Sequence, residues 1–256
     1  MEERGFATGL QRNYISPMKD TDDDLILCLR AALADNPARV QKVAHRGQFV
    51  WVKRRETLSA LRRLQKGNAA TGFEAERRAL HEWHRLHAPA PAILAEGDDF
   101  IALQDSGTPL SVLLGQPGDH LPAFQCAGRS LAALHTRQIS HGRPSLKDIC
   151  WDGTQITFID LERYAVARNT PKGHAMDVVM FVFNGLAVGR GITPEMQGAI
   201  DSYRANDPGG IWHLAQEWCR GKRWIDWATK PIQWRGDGKA KEFKAIPVTL
   251  ATFAAP

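Results

Sequence analysis

The sequence predicts an α+β protein of two unequal parts: a small strand-rich front holding one long helix, and a larger, mostly helical back. Three observations predict it. Short apolar runs bounded by turn residues crowd residues 40–53 and 93–103. Between them, Phe73, Ala79, Leu80, Trp83 and Leu86 recur at helical spacing. From residue 122 onward helical spacing dominates, broken by one short strand pair near Trp151.

The elements follow in order. Residues 24–34 read as a helix ended by Asp35-Asn36-Pro37. Val40–Ala44 and Phe49–Lys53 form a hairpin across His45-Arg46-Gly47. The second of these strands is almost continuously apolar, which predicts cover on both faces. Glu56–Gln65 looks helical, Gly67–Gly72 looks like a loop, and Phe73–His87 is the long helix, stopped by Pro89 and Pro91. Ile93–Ala95 and Phe100–Leu103 are two more strands. Ser106–Pro109 is a connector, and residues 122–138 form a helix with Phe124, Ala127, Leu131 and Leu134 on one side. A loop (141–150) leads to a strand pair ending at Thr157-Phe158-Ile159-Asp160, and everything from 176 reads mostly helical. The lobe boundary is expected at 104/105: an N-lobe of residues 1–104 and a C-lobe of 105–256.

The chain has 256 residues, enough for one sizeable core or two lobes around a cleft. With 43% hydrophobic and 24% charged residues it is neither disordered nor fibrous. A net charge of +5 suits an anionic partner such as a nucleotide or a phospholipid. No nucleic-acid module and no aromatic–basic alternation on a strand is present, so nucleic acid is not an expected partner. Cys28, Cys126, Cys150 and Cys219 are far apart and form no CxxC pair, which argues against a zinc or redox motif and for a reducing cytoplasmic compartment. Met1-Glu2-Glu3-Arg4 is no signal peptide, and the longest apolar run, Val178 to Val188, is too short to span a bilayer.

Four positions carry candidate chemistry. Lys53 ends an apolar strand, which puts an ammonium at the lip of a cleft. Taken alone, it reads first as a solvated strand end. Glu76 lies beside the apolar stripe of the next helix, where a carboxylate can reach that lysine; Glu74 competes for the role. Asp160 follows Thr157-Phe158-Ile159 and is placed to hold a divalent cation through oxygen, or simply to form a turn. The fourth is the loop His141-Gly142-Arg143-Pro144-Ser145-Leu146-Lys147-Asp148-Ile149 before that strand.

This loop resembles the catalytic loop of protein-kinase-like phosphotransferases, written H-[RG]-D-x-x-x-x-N, and Ile159-Asp160-Leu161-Glu162 is similar to their D-F-G or I-D-x-x element. The His-Gly opening resembles bacterial small-molecule and lipopolysaccharide-core (Kdo/heptose) kinases, and also the small atypical kinases that accompany tRNA-modification complexes. Leu131-Ala132-Ala133-Leu134-His135 resembles the helix ahead of their loop. Leu103-Gln104-Asp105-Ser106-Gly107-Thr108-Pro109-Leu110 looks like their hinge, and Asp177, heading the next apolar helix, like the Asp that braces the loop backbone. The resemblance covers roughly residues 38–190 and implies a bilobal protein-kinase-like fold with ATP and Mg²⁺ as cofactors. It implies nucleotide contacts at Lys53, Glu76, Gln104, Asp105 and Lys147, metal ligands at Asp148 and Asp160, and catalytic roles for His141, Arg143, Asp148 and Asp160.

Three departures bear on activity. Arg143 stands where the family has its catalytic Asp, and arginine stays protonated, so it cannot accept the acceptor's proton. Asp148 stands where the family has its metal-binding Asn. No glycine lies between Gly9 and Gly47, so the glycine-rich phosphate loop is missing. The stretch from Asp160 to Asp177 is also too short for a long activation segment, which favours a small-molecule, glycan or lipid acceptor over a protein. The expected function is an ATP-dependent phosphotransferase to such a hydroxyl. The alternative is a pseudokinase that binds nucleotide or protein as a scaffold.

Two further features are set aside. His81 and His84 share a helix but lack the H-E-x-x-H spacing, so an exposed helix surface is expected there. Trp212, Trp218, Trp224, Trp227 and Trp234 read first as the core of the C-terminal helices. A membrane-surface belt with Arg220, Lys222 and Arg223 is the alternative, and would place the protein peripherally at the inner membrane.

Overall fold

The computed structural model describes residues 23–36, 38–55, 69–235 and 240–255. Its front part holds helix α1 (Asp23–Asp35), strands β1 (Val40–His45) and β2 (Gln48–Arg54), helix α2 (Ala69–Arg85), and strands β3 (Ile93–Glu96) and β4 (Phe100–Gln104). The strands make one antiparallel sheet in the order β1-β2-β4-β3. The β1–β2 turn is Arg46-Gly47 with φ of 48° and 77°. Both residues are left-handed, as in the tight turns whose twist matches that of the flanking strands.

Side-chain alternation along β2 decides what faces the cleft. Val50 and Val52 are buried against Leu25 and Leu29 of α1. Lys53, Trp51 and Phe49 point to the opposite face. There Ile101 and Leu103 of β4 pack with Phe73, Leu80 and Trp83 of α2. The sequence predicts a strand covered on both faces. The structure corrects this: Phe49 is 51% and Trp51 36% exposed. α1 covers only one face, and α2 does not extend over the β1–β2 half of the other.

Two further expectations meet the structure here. Residues 69–72, expected in a loop, belong to α2; Ala69 and Ala70 are strong helix formers and extend it towards its N-terminus. The helix expected over Glu56–Gln65 lies outside the described residues.

The back part begins after the connector 105–107. Strands β5 (Thr108–Pro109), β6 (Ile149–Trp151) and β7 (Ile156–Phe158) make a small antiparallel sheet. Around it lie α3 (Leu110–Leu113), α4 (Leu121–Thr136), α5 (Pro171–Gly189), α6 (Pro194–Ala205), α7 (Ile211–Arg220), α8 (Trp224–Gln233) and α9 (Ala240–Ala254). α5 starts at a Thr170 cap that accepts from Gly173 N, with Pro171 in its first turn. Its buried Val178, Val179, Phe181, Val182 and Leu186 make the apolar run of the sequence a central helix of this lobe. No described helix is long and apolar enough to cross a membrane. The architecture is α+β, a small antiparallel sheet part followed by a mostly helical part, as the sequence predicts.

α4 and α6 approach closely at Gly128, where an added Cβ would lie 2.1 Å from the Ala199 carbonyl oxygen. Gly128→Ala is expected to cost about 3 kcal/mol of unfolding free energy, because backbone must move to relieve the overlap. Urea denaturation reads this directly; a loss under about 0.5 kcal/mol would show that the two helices separate freely.

The tryptophans divide. Trp212 is buried and packs on Phe253 with ring centroids 4.6 Å apart. Trp224, Trp227 and Trp234 are 62%, 80% and 81% exposed, so the expectation of core packing fails for these three. Helical periodicity shows that residues share a face, and not which way the face turns.

Candidate active site

β2 carries Lys53 at its last turn of alternation, and α2 crosses behind that sheet face. The Lys53 ammonium forms a hydrogen-bonded ion pair with Glu76. Glu76 is 4% exposed. Burial pushes its carboxyl above the usual carboxylate range, Lys53 opposes that, and Asp160 and Glu162 push in the same direction as burial. The sign of the last effect matters: it brings Asp160 of the back lobe into electrostatic range of the front-lobe pair. Glu74, the competing carboxylate, instead faces Arg55 at 3.9 Å on the surface.

Asp148 and Asp160 are brought together by the small sheet. Ile159 N donates to Asp148 O at 2.8 Å, extending the β6–β7 ladder by one rung, and Asp160 is the next residue. Asp160 has φ 60° and ψ 54°, a left-handed conformation that Asp tolerates better than most residues. Such strain persists where surrounding structure enforces it, commonly at functional sites. Asp148 is 7% exposed and accepts from Ser145 Oγ. Burial first, then the Asp160 charge, raise its pKa; Ser145, Lys147 and His141 lower it. The Lys147 ammonium stands 3.5 Å from Asp148 Oδ1 and 3.6 Å from Asp160 Oδ2.

A buried bracket holds the loop. Asp177 Oδ2 accepts from Ser140 Oγ at 2.8 Å and His141 N at 2.6 Å, and its Oδ1 accepts from Gly142 N at 2.9 Å. Gly142 has φ 94°, and a Cβ there would meet the Arg163 carbonyl oxygen at 2.4 Å, so only glycine fits. His141 is 1% exposed, with Nε2 at 3.1 Å from the Ile159 carbonyl, to which it donates as the Nε2–H tautomer. Burial lowers its pKa, which favours the neutral ring. His141, expected in a catalytic role, instead has its ring turned inward, where it ties the loop to the strand that presents Asp160.

The remaining predicted residues fall elsewhere. Gln104 pairs with Val50 in the sheet register, so its side chain lies on the face opposite Lys53 and is not brought to the cleft. Asp105 lies in the connector, where Lys42 Nζ (2.8 Å), Trp51 Nε1 (3.2 Å) and Gly107 N (3.3 Å) all reach its carboxylate. These partners outweigh partial burial and hold its pKa down. Arg143 is exposed. Among the described residues no glycine-rich hairpin precedes Lys53; α1 leads directly into β1.

Several residues that position the site escape sequence reasoning. Trp83 is fully buried and meets His141, Phe158 and Tyr164 edge-on, with centroids 5.9, 6.1 and 6.0 Å away. It couples α2, and so Glu76, to the loop. Asn184 Oδ1 accepts from Leu146 N, and Asn169 Oδ1 from Ser140 N. The only signal for Asn184 was a polar residue inside an apolar helix. His81 and His84 take separate partners, Glu96 and the Pro91 carbonyl, and no metal-binding group of three or more His, Cys, Asp or Glu occurs among the described residues.

Comparison with known proteins adds the following. No family model matches the chain. An uncharacterized protein of Haemophilus influenzae is 30% identical over 135 residues, 51% of this chain and 56% of that protein. The chain thus spans little more than half the length of the curated relative it matches. Among solved structures it is similar to the bifunctional kinase-methyltransferase WbdD, with a TM-score of 0.43 and 16% identity over 70% of this chain and 47% of that one. It is also similar to the PknI kinase domain of Mycobacterium tuberculosis, with a TM-score of 0.37 and 13% identity over 70% of this chain and 87% of that one.

The donor set fits Mg²⁺. Asp148 and Asp160 offer hard oxygen ligands, and the Lys147 ammonium between them shows that this space favours a cation. Two carboxylates with phosphate oxygens and water are the usual complement of Mg²⁺ at phosphoryl-transfer sites.

Proposed function

We propose that the chain is a Mg-ATP-dependent phosphotransferase acting on a hydroxyl of a small molecule, glycan or lipid, akin to the lipopolysaccharide-core kinases. One observation carries this reading: the Lys53–Glu76 ion pair lies within electrostatic range of Asp160, whose neighbour on the ladder is Asp148. Lys53 would hold nucleotide phosphates, and Glu76 fixes the ammonium that does so. Mg²⁺, when bound by Asp148 and Asp160, supplies neutralisation of phosphate charge. The acceptor oxygen forms its bond to phosphorus as the bridging bond to the leaving diphosphate breaks, and the hydroxyl proton must go to a base. Arg143 cannot take it and His141 is turned away. Asp148 is committed to the metal, so the proton passes to a phosphate oxygen of the nucleotide or to water, which a transfer resting on positioning and charge neutralisation allows.

Calorimetry of ATP with and without Mg²⁺ tests the reading. Binding to the wild type is expected to require Mg²⁺ and to weaken by about tenfold or more in Lys53→Ala, since a charge-assisted contact is lost. A second reading, a pseudokinase scaffold, is favoured by Asp105: its contacts to Lys42 and Trp51 draw the connector against the sheet face that carries Lys53. No binding at millimolar ATP would select it.

Arg143→Asp restores the family's residue at an exposed position. It is expected to change stability by under about 0.5 kcal/mol and to raise ATP hydrolysis. Unfolding of the variant would make Arg143 structural instead.

A further inference from the structure

Helix α8 is built inside out. Trp224, Trp227, Ala228, Pro231 and Trp234 follow one another at helical spacing on a single face, and all five are exposed. Its other face is mixed, with Ile225 and Ile232 half-buried beside Asp226, Thr229 and Gln233. Gln233 Nε2 donates to Asp226 Oδ1 at 3.0 Å and to Thr229 Oγ1 at 2.9 Å, and Thr229 Oγ1 donates to the Ile225 carbonyl. Those residues are half-buried on the side that packs against α9. No residue of α8 is fully buried. A surface helix of a water-soluble lobe normally places its apolar stripe inward; this one presents three tryptophans, 62%, 80% and 81% exposed, to the outside.

Basic residues predominate around this face, although Glu217, 3.4 Å from His213, and Glu242 are exposed nearby. Arg220 and Arg223 precede it, Arg235 follows it, and all three are exposed. Lys222 lies 5.8 Å over the ring of Trp218, itself 39% exposed at the end of α7. Asp226, the carboxylate of α8, is half-buried and paired with Lys230 at 3.4 Å. Elsewhere on α9, Lys241 and Lys244 join Arg190 around a crevice of about 230 Å³ lined by Leu186, Ala187 and Val248.

We propose that the α8 face docks the protein on an anionic lipid bilayer. Tryptophan favours the interfacial layer, where its ring is shielded and its indole N–H stays hydrated. Exposed arginines beside it are drawn to acidic headgroups. The helix would lie in the plane of the surface with its tryptophan face down, a peripheral mode for which its length suffices. None of these residues belongs to the cleft, so the proposal stands whether or not the cleft transfers phosphate.

The test is sedimentation of the full chain with vesicles of phosphatidylcholine mixed with phosphatidylglycerol, against vesicles of phosphatidylcholine alone. The expected result is partition to the anionic vesicles at low salt, with a blue shift of tryptophan emission. Partition is expected to fall by about tenfold or more in Trp224→Ala/Trp227→Ala, and separately in Arg223→Gln/Arg235→Gln as salt is raised. All four positions are exposed, so folding by circular dichroism and ATP binding by calorimetry are expected to match the wild type in both variants. Wild-type chain that stays in solution with both vesicle types overturns the proposal. So does light scattering that finds a dimer broken by Trp224→Ala/Trp227→Ala, which would make this face a contact between two copies.

Discussion

Asp160→Asn is expected to remove metal-dependent nucleotide binding while leaving the fold in place. Asparagine accepts the left-handed backbone of this position (φ 60°, ψ 54°) as readily as aspartate does, so the substitution isolates charge from conformation. The variant keeps Asp148 as the lone acidic ligand and leaves Lys147 with one partner in place of two. Half of the negative charge that would hold Mg²⁺ is gone, and apparent affinity for Mg-ATP is expected to drop by about a hundredfold, or roughly 2.7 kcal/mol. Binding of ATP without metal is expected to change little or to tighten, since a carboxylate near the phosphates has been neutralised. Calorimetry with and without Mg²⁺ separates the two. Equal affinity of variant and wild type in Mg²⁺ would remove Asp160 from the site.

Asp177→Ala is expected to be the most destabilising of the substitutions considered. The carboxylate is 1% exposed and accepts from Ser140 Oγ, His141 N and Gly142 N. His135 Nε2 lies 3.5 Å from it, and His174 stacks on His135 with centroids 4.6 Å apart. Alanine would strand two backbone N–H groups and a hydroxyl away from water, at a cost of about 3–5 kcal/mol. The loop holding Asp148 hangs on this bracket, so loss of Mg-ATP binding is expected to accompany loss of stability. Chemical denaturation gives the first quantity and calorimetry below the midpoint the second. A change in unfolding free energy under about 1 kcal/mol would show that the loop is held mainly by Asn169, Asn184 and the Trp83 contacts.

Much of the site was legible in the chain because it rests on local patterns. Lys53 ends a strand whose period-two alternation sets its face. Asp160 and Asp148 flank a short hairpin whose ladder must bring them side by side. The choice between Glu76 and Glu74 was open in sequence, since both sit on one helix two residues apart. Only the face that α2 turns to the sheet puts Glu76 on Lys53 and leaves Glu74 to Arg55. Gln104 was misplaced for a similar reason: hinge residues are read by order along the chain, whereas register decides on which face a side chain emerges.

Burial was the property least accessible to sequence. His141 looked available for chemistry and is sealed under Trp83 and Phe158. Phe49 and Trp51 looked internal and line an open face.

By itself, the sequence determined the order of elements and where along it Lys53, Asp148, Asp160 and Asp177 stand. Each of these follows from periodicity, turn residues and caps, which act over a few residues. The tertiary structure alone decided which carboxylate meets Lys53, that the Lys147 ammonium lies between Asp148 and Asp160, and that the tryptophans of α8 face outward. Those outcomes depend on how distant segments cover one another, because a helical repeat has the same period whether its apolar face turns in or out.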